Sequence, residues 1–206
     1  FGVDSAREIV AAKGCASVIT GTNVFAHIDD LASFAEAVVL LLDDDGALII
    51  EAPYFANLVA DTEYDTIYHE HLSYISVRPV VKFFRRFDME VFDVQRMEIH
   101  GGSLRIFVGR TGRRPVSPEV ERLLAEEEES GLHDRETLST FASAVRQNRQ
   151  DLLALLHGLK IEGKTVVGLS APAKGMTLLN YCSLGNQVVD SATEKSPLKI
   201  GRFTPG

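Results

Sequence analysis

The fold is decided by residues 16–50, which read ASVITGTNVFAHIDDLASFAEAVVLLLDDDGALII. Ala16 to Thr20 and Ala47 to Ile50 are short, continuously apolar runs, a pattern typical of buried strands. Between them, apolar side chains recur at helical spacing from Leu31 to Leu42, and Asp29 or Asp30 can cap this helix. Strand, helix and strand in this order predict a parallel sheet and an α/β fold.

The residues before this stretch continue the same alternation of strand and helix. Phe1 to Asp4 predicts the end of a buried strand, and Ser5 to Lys13 predicts a helix that closes at Gly14. Asp4 then stands at a strand end, where an acidic side chain commonly binds the ribose hydroxyls of a nucleotide, although helix capping is an alternative. Because the chain begins inside a predicted strand and stops at Gly206 within a predicted domain, we expect it to be a piece of a longer protein.

Further elements are predicted towards the C-terminus. Val77 to Arg86 predicts an amphipathic helix, and Met89 to Val94 with Ser103 to Gly109 predicts an antiparallel hairpin at one sheet edge. Beyond a basic linker, we expect helices over 119–130 and 134–159, a strand over 165–170, a helix over 176–182 and a strand over 187–190. The four glutamates at 126–129 are interpreted as a solvated helix face.

The composition is that of an ordinary globular protein and argues against several function classes. The 206 residues are 45% hydrophobic and 24% charged, with a formal net charge of −8 that offers nothing to nucleic-acid phosphates. Cys15 and Cys182 form no metal or redox spacing, and no apolar run approaches the ~20 residues of a membrane span. We expect no nucleic-acid or membrane partner and take the cytoplasm as the default location.

Residues 68–74, YHEHLSY, hold the densest set of proton-transferring side chains in the chain. Histidine titrates near neutral pH, so this cluster of His, Glu and Tyr is a candidate acid–base centre. A purely structural segment with hydrogen-bonded histidines is one alternative. A metal site is another, because His69 and His71 would share one face of a strand and Glu70 could add a ligand.

Polar and aromatic side chains also follow two of the predicted strands. Asn23-Val24-Phe25-Ala26-His27 comes after the first strand, and Glu51-Ala52-Pro53-Tyr54 after the next. Ligands of open α/β sheets bind outside the carboxyl ends of the strands, so we expect both stretches and residues 68–74 around one crevice. A simple strand–helix turn with a buried Phe25 explains the first stretch equally well.

Two glycine-containing stretches are further candidates. His100-Gly101-Gly102-Ser103 allows close backbone approach to a ligand, although a hairpin turn explains it as well. Ala171-Pro172-Ala173-Lys174-Gly175 lies between a predicted strand and a helix, where free amides beside Lys174 suit a phosphate or diphosphate. The latter stretch lacks the glycine spacing and the Lys-Ser/Thr pair of a Walker loop.

Taken together, these stretches resemble the S-adenosylmethionine-dependent C-methyltransferases that build branched deoxysugars on nucleotide carriers. The order and spacing of the matching stretches agree over nearly the whole chain, and YHEH and APAKG are the most specific. The stretches are NVFAH (23–27), EAPY (51–54), DTIYHEHLSY (65–74), IHGGSLR (99–105), APAKG (171–175), LLNY (178–181) and GRFTPG (201–206).

The resemblance implies an architecture of two α/β domains. Residues 1–111 would form a Rossmann-like class I methyltransferase domain that is incomplete at its N-terminus. Residues 112–162 would form a helical linking segment, and 163–206 the start of a C-terminal α/β domain that binds the nucleotide-sugar. The family's zinc-binding domain and Gly-rich cofactor loop would precede Phe1, so zinc is expected only outside this chain. The stretch around Gly14 and Cys15 is short against the family pattern.

The resemblance also implies a reaction, in which a methyl group passes from S-adenosylmethionine to a carbon next to a ketone on a nucleotide-linked deoxysugar. That carbon becomes nucleophilic only when a base removes its proton and the enolate is stabilised. The resemblance assigns the base role to His71, and supporting roles to Glu70, Tyr68 and His100. The implied cofactor contacts are Asp4, Asn23, Val24, Phe25 and His27. The implied substrate contacts are Tyr54, Tyr74, Ser103, Arg105, Lys174, Asn180 and Arg202.

Two other function classes stay open on the sequence. A metal-dependent hydrolase or oxygenase could use His69, His71 and Glu70, and metal analysis of the purified protein would reveal it. A non-catalytic nucleotide-sugar-binding protein is the other, and it should give no heat on titration with S-adenosylhomocysteine.

Overall fold

The computed structural model describes residues 1–99 and 101–204. The chain forms two compact units, the first made of residues 1–61 and 70–138, and the second of residues 62–69 and the described residues from 139 onward. The predicted helical segment 112–162 is thus shared between the two units. The domain boundaries after residues 111 and 162 stay predictions.

The first unit is built from helices and strands that follow local sequence signals. Asp30 caps the second helix, as predicted, by accepting a hydrogen bond from the Ser33 amide at 2.9 Å. Pro118 is the first residue of the helix Pro118–Glu129, a position that proline favours. The elements are α1 (Val3–Lys13), β1 (Ala16–Thr22), α2 (Leu31–Leu41), β2 (Leu42–Pro53), α3 (Phe55–Ala60), α4 (Val77–Arg85), β3 (Met89–Met97), β4 (Ser103–Arg110) and α5 (Pro118–Glu129).

The four strands form one mixed sheet in the order β1-β2-β4-β3. β1 and β2 are parallel, as the strand–helix–strand pattern predicts, whereas β4 is antiparallel to both β2 and β3. The predicted hairpin is therefore confirmed, and it extends the sheet from β2. An α/β fold is confirmed, with a mixed rather than a purely parallel sheet.

The main core lies between this sheet and the helices packed on it. Apolar side chains of β2 and β4 are buried there, and α5 adds Val120 and Leu123 to the same cluster. Removing such side chains from water stabilises the fold by roughly 25 cal/mol per Å² of apolar surface. The start of the predicted linking segment is thus part of the first unit's core.

The prediction of a strand end at Phe1 to Asp4 is wrong. Helix α1 begins at Val3, after an extended N-cap at Gly2. Asp4 lies in the first turn of this helix, where a carboxylate is favoured by the helix dipole, and pairs with Arg7 at 3.3 Å. Asp4 is therefore exposed on a helix and does not stand at the end of a strand.

Two further predictions for the first unit fail. Strand β1 is not buried, since it is the edge strand of the sheet and Val18 is 57% exposed. Strand β2 begins at Leu42 and not at Ala47, so Asp43 to Gly46 are part of it. The pairing of Ala16 with Leu42 and of Val18 with Ala47 makes this segment bulge out of register. A Cβ at Gly46 would lie 2.8 Å from the Leu42 side chain and 3.0 Å from the Ala16 carbonyl oxygen, so glycine favours the bulge at this position.

The second unit has a small core of its own around Cys182, Leu184 and Val188. Its 3-10 turn at Tyr64–Thr66 is fixed by a 2.9 Å hydrogen bond from the Tyr64 hydroxyl to Asn148. The remaining elements are α6 (Arg135–Ile161), which starts in the first unit, β5 (Val167–Gly168), α7 (Ala173–Cys182) and β6 (Ser191–Ala192). β5 and β6 form a short parallel pair.

The strand predicted at 187–190 is wrong. These residues form a turn, and the strand that pairs with β5 comes directly after them. Asp190 determines this geometry, because its carboxylate accepts hydrogen bonds from the Val166 amide and the Lys160 ammonium group at 2.8 Å each. The predicted strand over 165–170 is reduced to Val167–Gly168. Among the described helices, none is long and apolar enough to cross a bilayer.

Candidate functional site

The predicted base, His71, lies beside His27 in the first unit. Their ring centroids are 5.0 Å apart, with the planes nearly perpendicular at 72°. The backbone holds this arrangement, because the amides of Leu72 and Ser73 both donate to the carbonyl of Ala26, at 2.9 and 3.2 Å. Two histidines that are distant in the sequence thus meet at one place.

The turn after β1 presents three of its predicted cofactor-binding side chains and buries the fourth. Asn23 adopts a left-handed φ of 53°, which asparagine tolerates better than most residues, and its amide donates to the Glu51 carbonyl at 2.8 Å. Asn23 and Val24 are exposed, and His27 is half-buried. Phe25 is only 3% exposed and stacks on Phe84. It supports the turn from the core, and its assignment as a cofactor contact stays a prediction.

The carboxyl end of β2 carries a buried acidic side chain. Glu51 is 6% exposed, and one of its oxygens accepts hydrogen bonds from Nε and Nη2 of Arg105 at 2.9 and 2.7 Å. The two residues face each other across the β2–β4 pair. Arg105, a predicted substrate contact, thus compensates a buried charge, although about a third of its side chain remains exposed.

Tyr54, a predicted substrate contact, is buried in the first unit. Its side chain is 1% exposed, and its hydroxyl donates to Glu127 at 2.9 Å. Burial, together with the Glu127 carboxylate, raises the pKa of Tyr54 well above its ordinary value. The phenol therefore stays protonated and acts as a fixed donor within the core.

Glu127 is the residue that the sequence analysis missed. It lies in the glutamate run interpreted as a solvated face, yet it is 2% exposed. Its carboxylate accepts hydrogen bonds from the amides of Val77 and Arg78, at 2.6 and 3.0 Å, in addition to the Tyr54 hydroxyl. The spacing of Val120, Leu123 and Glu127 places it on the apolar stripe of α5, and this helical period is the signal that could have identified it.

The other residues of the first unit that were predicted for the site differ in their exposure to solvent. Ser103 is 1% exposed and its hydroxyl donates to the Ile99 carbonyl at 3.1 Å, so the structure does not offer it to a substrate as predicted. Tyr74 is 37% exposed, and its ring lies 6.1 Å from that of Phe55. Glu70 is exposed, while His100 lies outside the described residues.

The turn around Gly102 has a structural explanation. Gly102 has a φ of 112°, and a Cβ there would lie 2.5 Å from the Asn57 side chain. Its carbonyl accepts a hydrogen bond from the Tyr54 amide at 3.0 Å. These contacts favour the hairpin-turn interpretation of this stretch over a ligand contact by its glycines.

The second unit holds the other predicted residues. Tyr68 and His69 have neighbouring rings, with centroids 6.0 Å apart. Lys174 lies in the first turn of α7, and the Asn180 side-chain amide donates to the Met176 carbonyl at 2.8 Å. Arg202 is exposed. The assignment of Lys174, Asn180 and Arg202 to the nucleotide-sugar stays a prediction.

Residues 1–99 and 101–204 contain no group of three or more His, Cys, Asp or Glu side chains arranged to hold a metal ion. The interpretation of His69, Glu70 and His71 as a metal site therefore receives no support. A cavity of about 400 Å³ lies in the first unit beside Tyr54, Asn57, Arg96 and Glu127, and its described lining includes neither histidine of the pair.

Comparisons with known proteins identify the family of this chain. Residues 98–206 match the family model described as the C-methyltransferase C-terminal domain. The whole chain is 35% identical over 207 aligned positions to the C-methyltransferase NovU of Streptomyces niveus and covers 49% of that protein. It thus spans about half the length of this curated relative.

A comparison of folds gives a weaker likeness. The crystal structure of a SAM-dependent methyltransferase from Anabaena variabilis ATCC 29413 aligns with 53% of this chain and 55% of its own, at 15% identity and a TM-score of 0.37. This similarity is too low to support an assignment. On the family match, which includes more than half of its residues, the chain belongs to the C-methyltransferases.

Proposed function

We propose that this protein transfers a methyl group from S-adenosylmethionine to a carbon next to a ketone on a nucleotide-linked deoxysugar, with His71 as the general base. The observation that carries the proposal is the packing of His71 against His27 at the turn after β1. Membership of the C-methyltransferases and the name of the 35% identical relative support transfer to carbon. The sugar acceptor rests on the resemblance of the YHEH and APAKG stretches.

The turn after β1 suits a sulfonium cofactor. Asn23 and His27 offer directed polar groups and Val24 an exposed apolar side chain, at the sheet edge where α/β proteins bind ligands. The stretch 23–27 contains no Lys or Arg to repel a cation. Asn23, Val24 and His27 would hold the cofactor, which supplies an electrophilic methyl group when bound. Asp4 lies on an exposed helix and Phe25 in the core, so neither is included.

His71 acts in the first step as the general base. It takes the proton from the carbon next to the ketone, and the electron pair of that C–H bond moves into the enolate. Bound S-adenosylmethionine would supply the methyl group for the new C–C bond, with the electron pair of the broken C–S bond going to its sulfur, and His71 would then release its proton to solvent. A well-placed base contributes about 10²- to 10⁴-fold in rate.

Lys174 is proposed to bind the diphosphate of the acceptor. It lies in the first turn of α7, a ten-residue helix, where backbone amides and a positive dipole favour phosphate groups. Arg202 adds an exposed guanidinium, which pairs well with phosphate oxygens. These contacts would act on binding rather than on proton removal.

The test uses the full-length protein with S-adenosylmethionine carrying a deuterated methyl group and a panel of nucleotide-linked keto-deoxysugars. Mass spectrometry should detect the labelled methyl on a sugar carbon. His71→Asn should reduce turnover by at least about 100-fold, while binding of S-adenosylhomocysteine, measured by calorimetry, persists. Full activity in this variant would remove His71 from the base role, and transfer only to acceptors without a sugar would overturn the substrate assignment.

A further inference from the structure

The buried carboxylate of Glu127 joins two segments of the first unit that flank the histidine pair. One of its oxygens accepts from the Tyr54 hydroxyl and the Val77 amide, and the other from the Arg78 amide, with a ring nitrogen of His133 3.4 Å away. Tyr54 directly follows β2, whereas Val77 and Arg78 begin α4, the helix that comes after His71 in the chain. The carboxylate is therefore a cross-link between the strand end and this helix.

Helix α4 depends on Glu127 for its N-terminal cap. Ser76 occupies the N-cap position, but its side chain makes no capping hydrogen bond. Glu127 takes over this function from α5 and places a negative charge at the positive end of the helix dipole. The starting position of α4 is thus determined by a residue distant in sequence.

Three residues of the short segment between His71 and α4 make backbone contacts with other parts of the first unit. Leu72 and Ser73 are tied to Ala26, beside His27. Ile75 then forms a parallel bridge with Tyr54 and accepts a hydrogen bond from the Phe55 amide at 2.8 Å. Because Tyr54 is itself held by Glu127, one carboxylate fixes both the partner of Ile75 and the helix that follows.

Stability alone is a weak reason for a buried carboxylate in this core. Taking a charge out of water is costly, and well-packed apolar side chains often replace such groups with no loss of stability. A carboxylate with several fixed donors instead specifies one geometry for the groups around it. Here those groups determine where the segment that carries His71 begins and ends.

We propose that Glu127 is a positioning residue for His71, acting through Tyr54 and the N-terminus of α4. This inference rests on the proposed function, because it assumes that His71 is the base. It adds that the imidazole is held in its productive place by Glu127 of α5.

The test is Glu127→Gln in the full-length protein, which keeps the size of the side chain but removes its charge and one acceptor oxygen. Displacing a catalytic group by about 1 Å costs about 100-fold in rate, so we expect kcat per folded molecule to fall about 10- to 100-fold. The KM for S-adenosylmethionine should change by less than about twofold, since Glu127 lies outside the turn at 23–27. Glu129→Gln, an exposed change on the same helix, is the matched control and should leave kcat unaltered.

A second measurement follows the imidazole directly. In NMR spectra of histidine-labelled protein, the ring signals of His71, assigned with His71→Asn, should move in Glu127→Gln and stay in place in Glu129→Gln. If Glu127 is only structural, the variant will melt earlier while kcat per folded molecule and the His71 signals remain those of the wild type, and the inference is overturned. If Glu127→Gln does not fold, Tyr54→Phe removes one anchor, and unchanged kcat and His71 signals would again overturn it.

The two proposals fail in different ways. If the wild-type protein transfers no methyl group to any nucleotide-sugar, the proposed function is lost. The position of the His71 ring in Glu127→Gln still decides the inference, because it is observed without turnover. An unmoved ring overturns the positioning role, and a displaced ring supports it.

Discussion

Glu51 and Glu127 are both buried glutamates of the first unit, but their charges are compensated in different ways. Glu51 faces the guanidinium of Arg105 across two strands, with both contacts made to a single carboxylate oxygen. Glu127 is held by two backbone amides and a phenol, and a ring nitrogen of His133 lies 3.4 Å from its second oxygen. Glu51 is part of an ion pair within the sheet. Glu127 of α5 instead connects its own helix to Tyr54 and to the start of α4. The environment of each carboxylate, rather than its residue type, therefore determines what it does.

The largest effect on stability is expected from breaking the ion pair. Arg105→Met should lower the free energy of unfolding by about 3 kcal/mol, because it leaves the Glu51 carboxylate buried without a partner. Urea unfolding measures this loss, and adding Glu51→Gln should recover part of it. Arg113→Met is the control, since the Arg113–Asp44 pair is exposed and 3.8 Å apart, and it should cost less than about 0.5 kcal/mol. Equal losses in the two single variants would contradict the distinction.

A smaller loss is expected at the second carboxylate. Tyr54→Phe removes the hydroxyl that Glu127 accepts from but keeps the buried ring and both amide contacts. Leaving one site of a buried acceptor unfilled should cost about 1–2 kcal/mol in the free energy of unfolding. Urea unfolding again gives the value, and a loss as large as that of Arg105→Met would mean that the phenol, rather than the amides, holds Glu127.

The smallest effect should appear only at high pH. Because the pKa of Tyr54 is raised in the folded protein, its contribution to stability is constant below the unfolded value of about 10 and is lost as the pH rises above it. The free energy of unfolding should therefore fall as the pH rises above about 10, and less steeply in Tyr54→Phe. Burial also raises the pKa of Tyr64, to about 12, so some slope remains in that variant. An unchanged slope would mean that Tyr54 ionises equally in both states.

Much of the first unit could be predicted from its sequence because the signals are local. Helix α2 has a capping aspartate and an apolar stripe, and the hairpin of β3 and β4 has two apolar runs around a pair of glycines. The segment Asp43 to Gly46 was misjudged because three aspartates and a glycine normally end an element. Here the long β2 includes them through a bulge against β1, which depends on the neighbouring strand.

The candidate site was only partly predictable, because many of its contacts join segments that are distant in the sequence. The histidines at 27 and 71 were singled out by residue type, but their contact is made only by the tertiary structure. By contrast, Tyr54 and Ser103 were assigned to the substrate although their hydroxyl groups bond within the protein. Glu127 was overlooked because its three glutamate neighbours conceal its place on the apolar stripe.

Periodicity and chemical type were enough to establish the α/β class, the order of most elements and the histidines around which a reaction can be proposed, because these properties depend on neighbouring residues. The burial of Glu127, the pairing of Glu51 with Arg105 and the meeting of His27 with His71 depend on packing between segments far apart in the chain. Solvent exposure and hydrogen-bond partners are properties of that packing. Identical glutamate side chains therefore become a solvated surface group at 129 and a buried cap at 127.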